Sequence, residues 1–118
     1  MPKLSIRIRN YQQDDLDALY AMDQACFAEH TAFSRKELQQ SIHHPHSVSF
    51  IAEQSGVIVG FVVARIRPAY AHVLTLDVSP EARRAKIGVT LMKRLHNELS
   101  TRGVKCAVLE VSVENSPA

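Results

Sequence analysis

The sequence predicts a mixed α/β sheet with helices on both of its faces, and three observations predict it. Leu4, Ile6 and Ile8 alternate with Ser5, Arg7 and Arg9, the pattern of a half-buried strand. Val48 to Glu53 and Val57 to Arg67 are apolar runs on either side of Ser55-Gly56, which reads as an antiparallel hairpin. The run His72 to Val78 is followed by Ile87, Leu91, Leu95 and Leu99, four residues apart, which reads as a strand, a tight turn and an amphipathic helix. Strands and helices interleaved in this way build a layered α/β architecture. The 118 residues, 46% of them apolar, suit one domain spanning residues 1–118 with one core.

The elements follow in order. After the first strand, Asp14 or Asp15 is placed to cap a helix whose Leu16, Leu19, Tyr20, Cys26 and Phe27 fall mostly on one face. A loop from Ala28 to Phe33 leads to Ser34-Arg35-Lys36-Glu37, a capping box that opens a short second helix through about Ser41. His43-His44-Pro45-His46 reads as a polar loop, since the proline breaks helical spacing and no nearby cysteine completes a ligand set. In the hairpin, Val57-Ile58-Val59 and Phe61-Val62-Val63 are nearly continuous apolar runs, as in a strand covered on both faces. Pro80 ends the strand that begins at His72, and Gly103 stops the long helix. Val104 to Val113 is the next strand.

Composition excludes several classes. A net charge of +2 is too small to argue for nucleic acid by itself. Arg83, Arg84, Lys86, Lys93 and Arg94 could serve a small nucleic-acid-binding domain, but the chain has no tryptophan and no evident aromatic pairs for stacking. No apolar run reaches membrane-spanning length and no signal-peptide core opens the chain, so the expectation is a cytoplasmic protein with no membrane partner. Cys26 and Cys106 read as buried reduced thiols rather than a disulfide.

The joint between the His72 strand and the long helix carries the chemistry. Arg83, Arg84 and Lys86 lie where the positive end of a helix dipole disfavours cations unless an anion joins them. The first-turn N–H groups can bind phosphate, and Gly88 lets the backbone come close to a bound group. The residues fit a phosphate or pyrophosphate cradle. They also fit a solvated basic loop with Glu81 as counter-charge.

The run Val78-Ser-Pro-Glu-Ala-Arg83-Arg84-Ala85-Lys86-Ile87-Gly88, followed by Leu91-Met92, resembles motif A of the GNAT superfamily of acetyl-CoA-dependent N-acyltransferases. That motif is commonly Arg/Gln-x-x-Gly-x-Gly/Ala. Arg83 and Gly88 match its ends, and Lys86 stands at its first glycine. The run Leu109-Glu110-Val111 with Asn115 resembles the ribosomal-protein N-alpha-acetyltransferase branch. The resemblance implies a GNAT-like fold and acetyl-CoA as cosubstrate, held by Leu76, Asp77, Val78, Arg83, Arg84, Ala85, Lys86, Ile87, Gly88, Val89 and Asn115. A backbone N–H near Val78 would polarise the thioester carbonyl. Glu110 matches the catalytic glutamate of that branch. Strand alternation puts it on the face of Cys106 and Val108, where apolar surroundings would raise its pKa and suit it to act as general base.

The same resemblance implies direct attack of a primary amine, small-molecule or protein N-terminal, on the thioester. It places the acceptor near the loop holding Glu29, His30 and Phe33, residues that also read as ordinary loop variation. His72 at the start of its strand reads as structural. In the GNAT pattern a last helix and two strands, with a tyrosine acting as general acid, follow the point where this sequence ends. Tyr11, Tyr20 and Tyr70 all come too early to match it. A naturally short chain and a piece of a longer one both fit that ending. So does a non-catalytic module that binds CoA or a partner protein. A sheet edge left uncovered there would invite a homodimer.

Overall fold

The computed structural model describes residues 5–27, 32–80, 82 and 86–109. Strand β1 (Ile6–Asn10) is followed by a 3-10 turn (Gln13–Asp15), helix α1 (Leu16–Cys26) and helix α2 (Arg35–His43). Then come β2 (Ser47–Gln54), β3 (Val57–Ile66), β4 (Ala71–Val78), α3 (Ile87–Thr101) and β5 (Ala107–Leu109). The strands form one five-stranded sheet in sequence order. The β1–β2, β2–β3 and β3–β4 pairs are antiparallel, and β4–β5 is parallel.

Two hydrophobic layers cover the sheet. On one face Ile87, Leu91, Leu95 and Leu99 of α3 pack on Phe50, Ala52, Val62, Ala64 and Val73. On the other, Leu16 and Leu19 of α1 and Leu38 and Ile42 of α2 pack on Ile51, Phe61 and Val63. The nearly continuous apolar run of β3 follows from this, because its alternate residues serve opposite layers. Among the described residues no helix is long and apolar enough to cross a membrane.

Local chemistry sets the joints. The β2–β3 turn places Ser55 at φ 53° and Gly56 at φ 80°, the two positive angles that a two-residue hairpin needs. Ser34 and Glu37 form the capping box, with Glu37 N donating to Ser34 Oγ at 3.1 Å and Ser34 N to Glu37 Oε1 at 2.9 Å. α3 ends in a Schellman motif: Val104 N donates to Leu99 O at 2.9 Å and Gly103 N to Ser100 O at 3.1 Å.

Three local expectations need correction. Neither aspartate caps α1 by the usual side-chain bond. Asp15 instead reaches back to the Gln12 N–H at 2.7 Å while Arg9 grips it from β1, and a 3-10 turn precedes the helix. The strand expected from Val104 starts at Ala107, because Val104 is used in closing α3. Cys106 is exposed rather than buried, and Cys26 is half-buried; neither forms a disulfide.

Two bulges shift the register. Val59 is an extra residue of β3 against β2, and Leu74 an extra residue of β4 against β3. A bulge turns the strand beyond it to the opposite face. Before Leu74, Ala71 and Val73 face α3. After it, Leu76 and Val78 face α3, and Asp77, paired with Phe61, faces α1.

Candidate active site

The end of β4 and the start of α3 meet over Gly60. A Cβ at that glycine would lie 2.9 Å from the Asp77 carbonyl oxygen, 3.0 Å from Ile87 Cγ2 and 3.2 Å from Leu91 Cδ1. Its bare backbone therefore lets α3 start directly against β3 and β4. Gly60 escaped the sequence reading. Its signal is a lone glycine inside an apolar strand, a mark of close backbone approach.

α3 begins at Lys86, which takes left-handed backbone angles of φ 60° and ψ 32°. Left-handed geometry gives a physical reason for glycine at this place in the motif. Among the described residues no side chain caps this helix, and its first turn carries no acid. The N–H groups at this end can thus offer an anion site that no described side chain fills. Ile87 is buried in the core, Gly88 half-buried and Val89 exposed. A Cβ at Gly88 would make ordinary contacts, 3.7 Å from Val78 Cγ2 and 3.9 Å from Leu76 Cδ2. The first turn of α3 therefore looks onto the Leu76 and Val78 side chains, and a pyrophosphate fits its donor set. Arg83, Arg84, Ala85, Glu110 and Asn115 lie outside the described residues.

The parallel pairing described for β5 joins Ala107–Leu109 to Ala71–Val73, the opposite end of β4 from Leu76–Val78. Val108 is exposed, as is Cys106. Glu110 itself lies outside the described residues, so the case for that glutamate rests on the motif.

Across β4 from α3 lies an arrangement the sequence did not reveal. Asp23 of α1 and Asp77 are each only 1% exposed, and Asp23 is a carboxyl that acts directly on that of Asp77. Asp77 Oδ1 accepts from the Thr75 hydroxyl. Asp23 Oδ2 accepts from Phe33 N at 2.7 Å, and Gln24 Nε2 donates to Phe33 O at 2.8 Å. Burial, reinforced by Asp23, pushes the Asp77 carboxyl up to about 9. One turn along α1, the Cys26 thiol lies 3.5 Å from the Val78 carbonyl oxygen as its donor. The aspartates are far apart in the chain, and strict alternation would have turned Asp77 toward α3. Only the bulge at Leu74 brings them together.

Comparison with known proteins agrees with this architecture. The model of the acetyltransferase (GNAT) family matches residues 16–118. An uncharacterised N-acetyltransferase of Methanocaldococcus jannaschii is 28% identical over 109 residues, covering 92% of this chain and 69% of that protein. The crystal structure of the ribosomal-protein-S18-alanine N-acetyltransferase from Escherichia coli superposes with a TM-score of 0.84 at 26% identity, covering 95% of this chain and 70% of that one. PaiA N-acetyltransferase from Thermoplasma acidophilum, solved in complex with coenzyme A, gives a TM-score of 0.80 at 23% identity over 96% of this chain and 83% of that one, a likeness of fold. A helix starting beside β4, in a sheet of this order and with these relatives, leads to one assignment: the chain belongs to the GNAT family of acetyltransferases and is an acetyl-CoA-dependent N-acetyltransferase.

Proposed function

We propose that the acceptor is the α-amino group of a polypeptide and that Glu110 takes up its proton. The observation that carries the reading is the uncapped first turn of α3, with Lys86 at its cap, set against Leu76 and Val78. Bound acetyl-CoA supplies an acetyl group activated as a thioester. The N–H groups of the first turn of α3, with the Lys86 ammonium, hold its pyrophosphate, and Arg83, Arg84 and Ala85 complete the cradle by the motif. Main-chain groups of Leu76, Asp77 and Val78 hold the pantetheine arm, and Asn115 adds a side-chain contact. Glu110, directly or through a water, removes the proton that the amine must lose to become a nucleophile. The polypeptide acceptor is supported by the likeness to an S18-alanine N-acetyltransferase and by the run Leu109-Glu110-Val111 with Asn115.

The test incubates the chain with acetyl-CoA and an alanine-initiated peptide, the same peptide with a blocked N-terminus, and a polyamine, and follows acetylation by mass spectrometry. Modification of the free N-terminus alone is the expected result. Transfer to the polyamine in preference would sink the polypeptide assignment. Glu110→Gln is expected to lower kcat by about 10²–10⁴-fold with little change in acetyl-CoA affinity. Gly88→Val puts a branched side chain where the cosubstrate approaches. It should abolish acetyl-CoA binding in calorimetry while the circular dichroism spectrum stays that of the parent, since a Cβ there meets only ordinary contacts.

A further inference from the structure

The oxygens of the two buried aspartates can be accounted for one by one. Asp77 Oδ1 takes the Thr75 hydroxyl, and Asp23 Oδ2 takes the Phe33 N–H. Asp77 Oδ2 and Asp23 Oδ1 remain, both buried and both without a hydrogen-bond partner among the described residues. Two ionised carboxylates cannot hydrogen-bond to one another, because their oxygens only accept. A single proton between them satisfies both, and it leaves the pair with one negative charge instead of two.

Among the described residues the surroundings supply no other remedy. From α1, Asp23 is the charged group acting on Asp77, and the Cys26 thiol is directed to the Val78 carbonyl. From β3 the neighbours on this face are Phe61 and Val63, both apolar and buried. Within β4, Thr75 donates to the pair. α3, on the other face, approaches Asp77 through its backbone at Gly60. Among the described residues, no arginine, lysine or histidine is one of the groups that act on the Asp77 carboxyl.

The pair also joins two parts of the proposed site. Asp77 stands between Leu76 and Val78, the strand segment assigned to the cosubstrate. Asp23 holds the N–H of Phe33, the residue of the α1–α2 connection that precedes the Ser34 cap of α2. We propose that Asp23 and Asp77 share one proton, and that the protonated pair is a positioning device for acetyl transfer, clamping α1 and the chain at Phe33 onto Leu76–Val78. The link to transfer rests on the site proposed above; the shared proton does not.

The test is a carbon-13 NMR titration of the aspartate carboxyls in the whole chain, with Asp77→Asn as comparison. One carboxyl of the pair should stay protonated through neutral pH and ionise near pH 9. Both carboxyls ionised at neutral pH would overturn the proposal. In Asp77→Asn, the amide oxygen can accept from Thr75 and the amide N–H can donate to Asp23, so the proton's place is filled permanently. About one pH unit above the midpoint, hydrogen-exchange protection of the Phe33 amide, corrected for its intrinsic rate, should fall about tenfold in the parent and hold in Asp77→Asn. Acetyl-CoA affinity measured by calorimetry should weaken over the same interval in the parent alone. Protection or affinity that ignores pH in the parent, or that falls equally in Asp77→Asn, would refute the clamp. The carboxyl and amide readouts need no bound cosubstrate, so they stay decisive even where the cradle test with Gly88→Val fails.

Discussion

Lys86 holds φ at 60°, a region that costs a side-chain-bearing residue roughly 1–2 kcal/mol. Glycine avoids that penalty but loses roughly 0.5–1 kcal/mol more backbone entropy on folding. The difference favours glycine, so Lys86→Gly should stabilise the fold by about 0.5–1 kcal/mol in urea unfolding. An unchanged or lower midpoint would mean that the lysine makes a compensating contact. The same substitution removes a cation from the cradle, so acetyl-CoA affinity should fall while stability rises. Such opposed effects are expected where a strained backbone position serves binding. Gly60 and Gly88 differ in kind: Gly60 is required by the crowding of Asp77, Ile87 and Leu91, whereas a Cβ at Gly88 would make only ordinary contacts with Val78 and Leu76.

Among the elements, those with a period in their sequence were legible. Ile87, Leu91, Leu95 and Leu99 announced α3, and all four are buried. Ser55-Gly56 announced the hairpin, and Ser34 with Glu37 the start of α2. The start of α1 was not legible, because it depends on a tertiary ion network rather than a local cap. Arg9 donates to Asp15 at 2.8 and 2.9 Å and to Glu53 at 2.9 Å, linking β1, the 3-10 turn and β2. The Arg9 bond holds the Asp15 carboxyl below its usual range, and the two carboxylates raise the guanidinium's pKa in turn. Arg9→Met leaves two partly buried carboxylates without their cation and should cost about 1.5–3 kcal/mol in urea unfolding at neutral pH. A cost near zero would reduce the network to a surface decoration. The cost should shrink in acid: a carboxyl whose folded pKa is lowered gives its stability above the unfolded value of 3.8 and loses it as pH falls through the folded one.

Among the described residues, two hydrophobic layers share β4 as a wall, with the proposed cosubstrate face on the α3 side and the acid pair on the α1 side. The main-chain half of the proposed site has a local signature, since a strand, a basic turn and a helix lie together in sequence. The acid pair was not legible there, since Asp23 and Asp77 lie on different elements and neither has a local signature. Its effect should reach global stability. The folded Asp77 carboxyl keeps its proton to about pH 9, against an ordinary value of 3.8, so the native state binds one more proton across that window. Stability is therefore greatest below the lower value and falls as pH rises toward the upper, by as much as about 1.4 kcal/mol per pH unit from this group. Asp77→Asn removes that contribution, so its stability relative to the parent should climb with pH in paired urea titrations. A constant gap between the two would contradict the assignment. All of this depends on Leu74. From Thr75 onward, β4 runs half a period out of step with its own beginning. Removing that one residue would turn the strand's far end inside out, driving a carboxyl toward the α3 layer and Leu76 and Val78 toward α1. Exchanging it for another apolar residue would do nothing of the kind. What position 74 contributes is therefore a count, and a change in the chain's length there threatens both halves of the site at once.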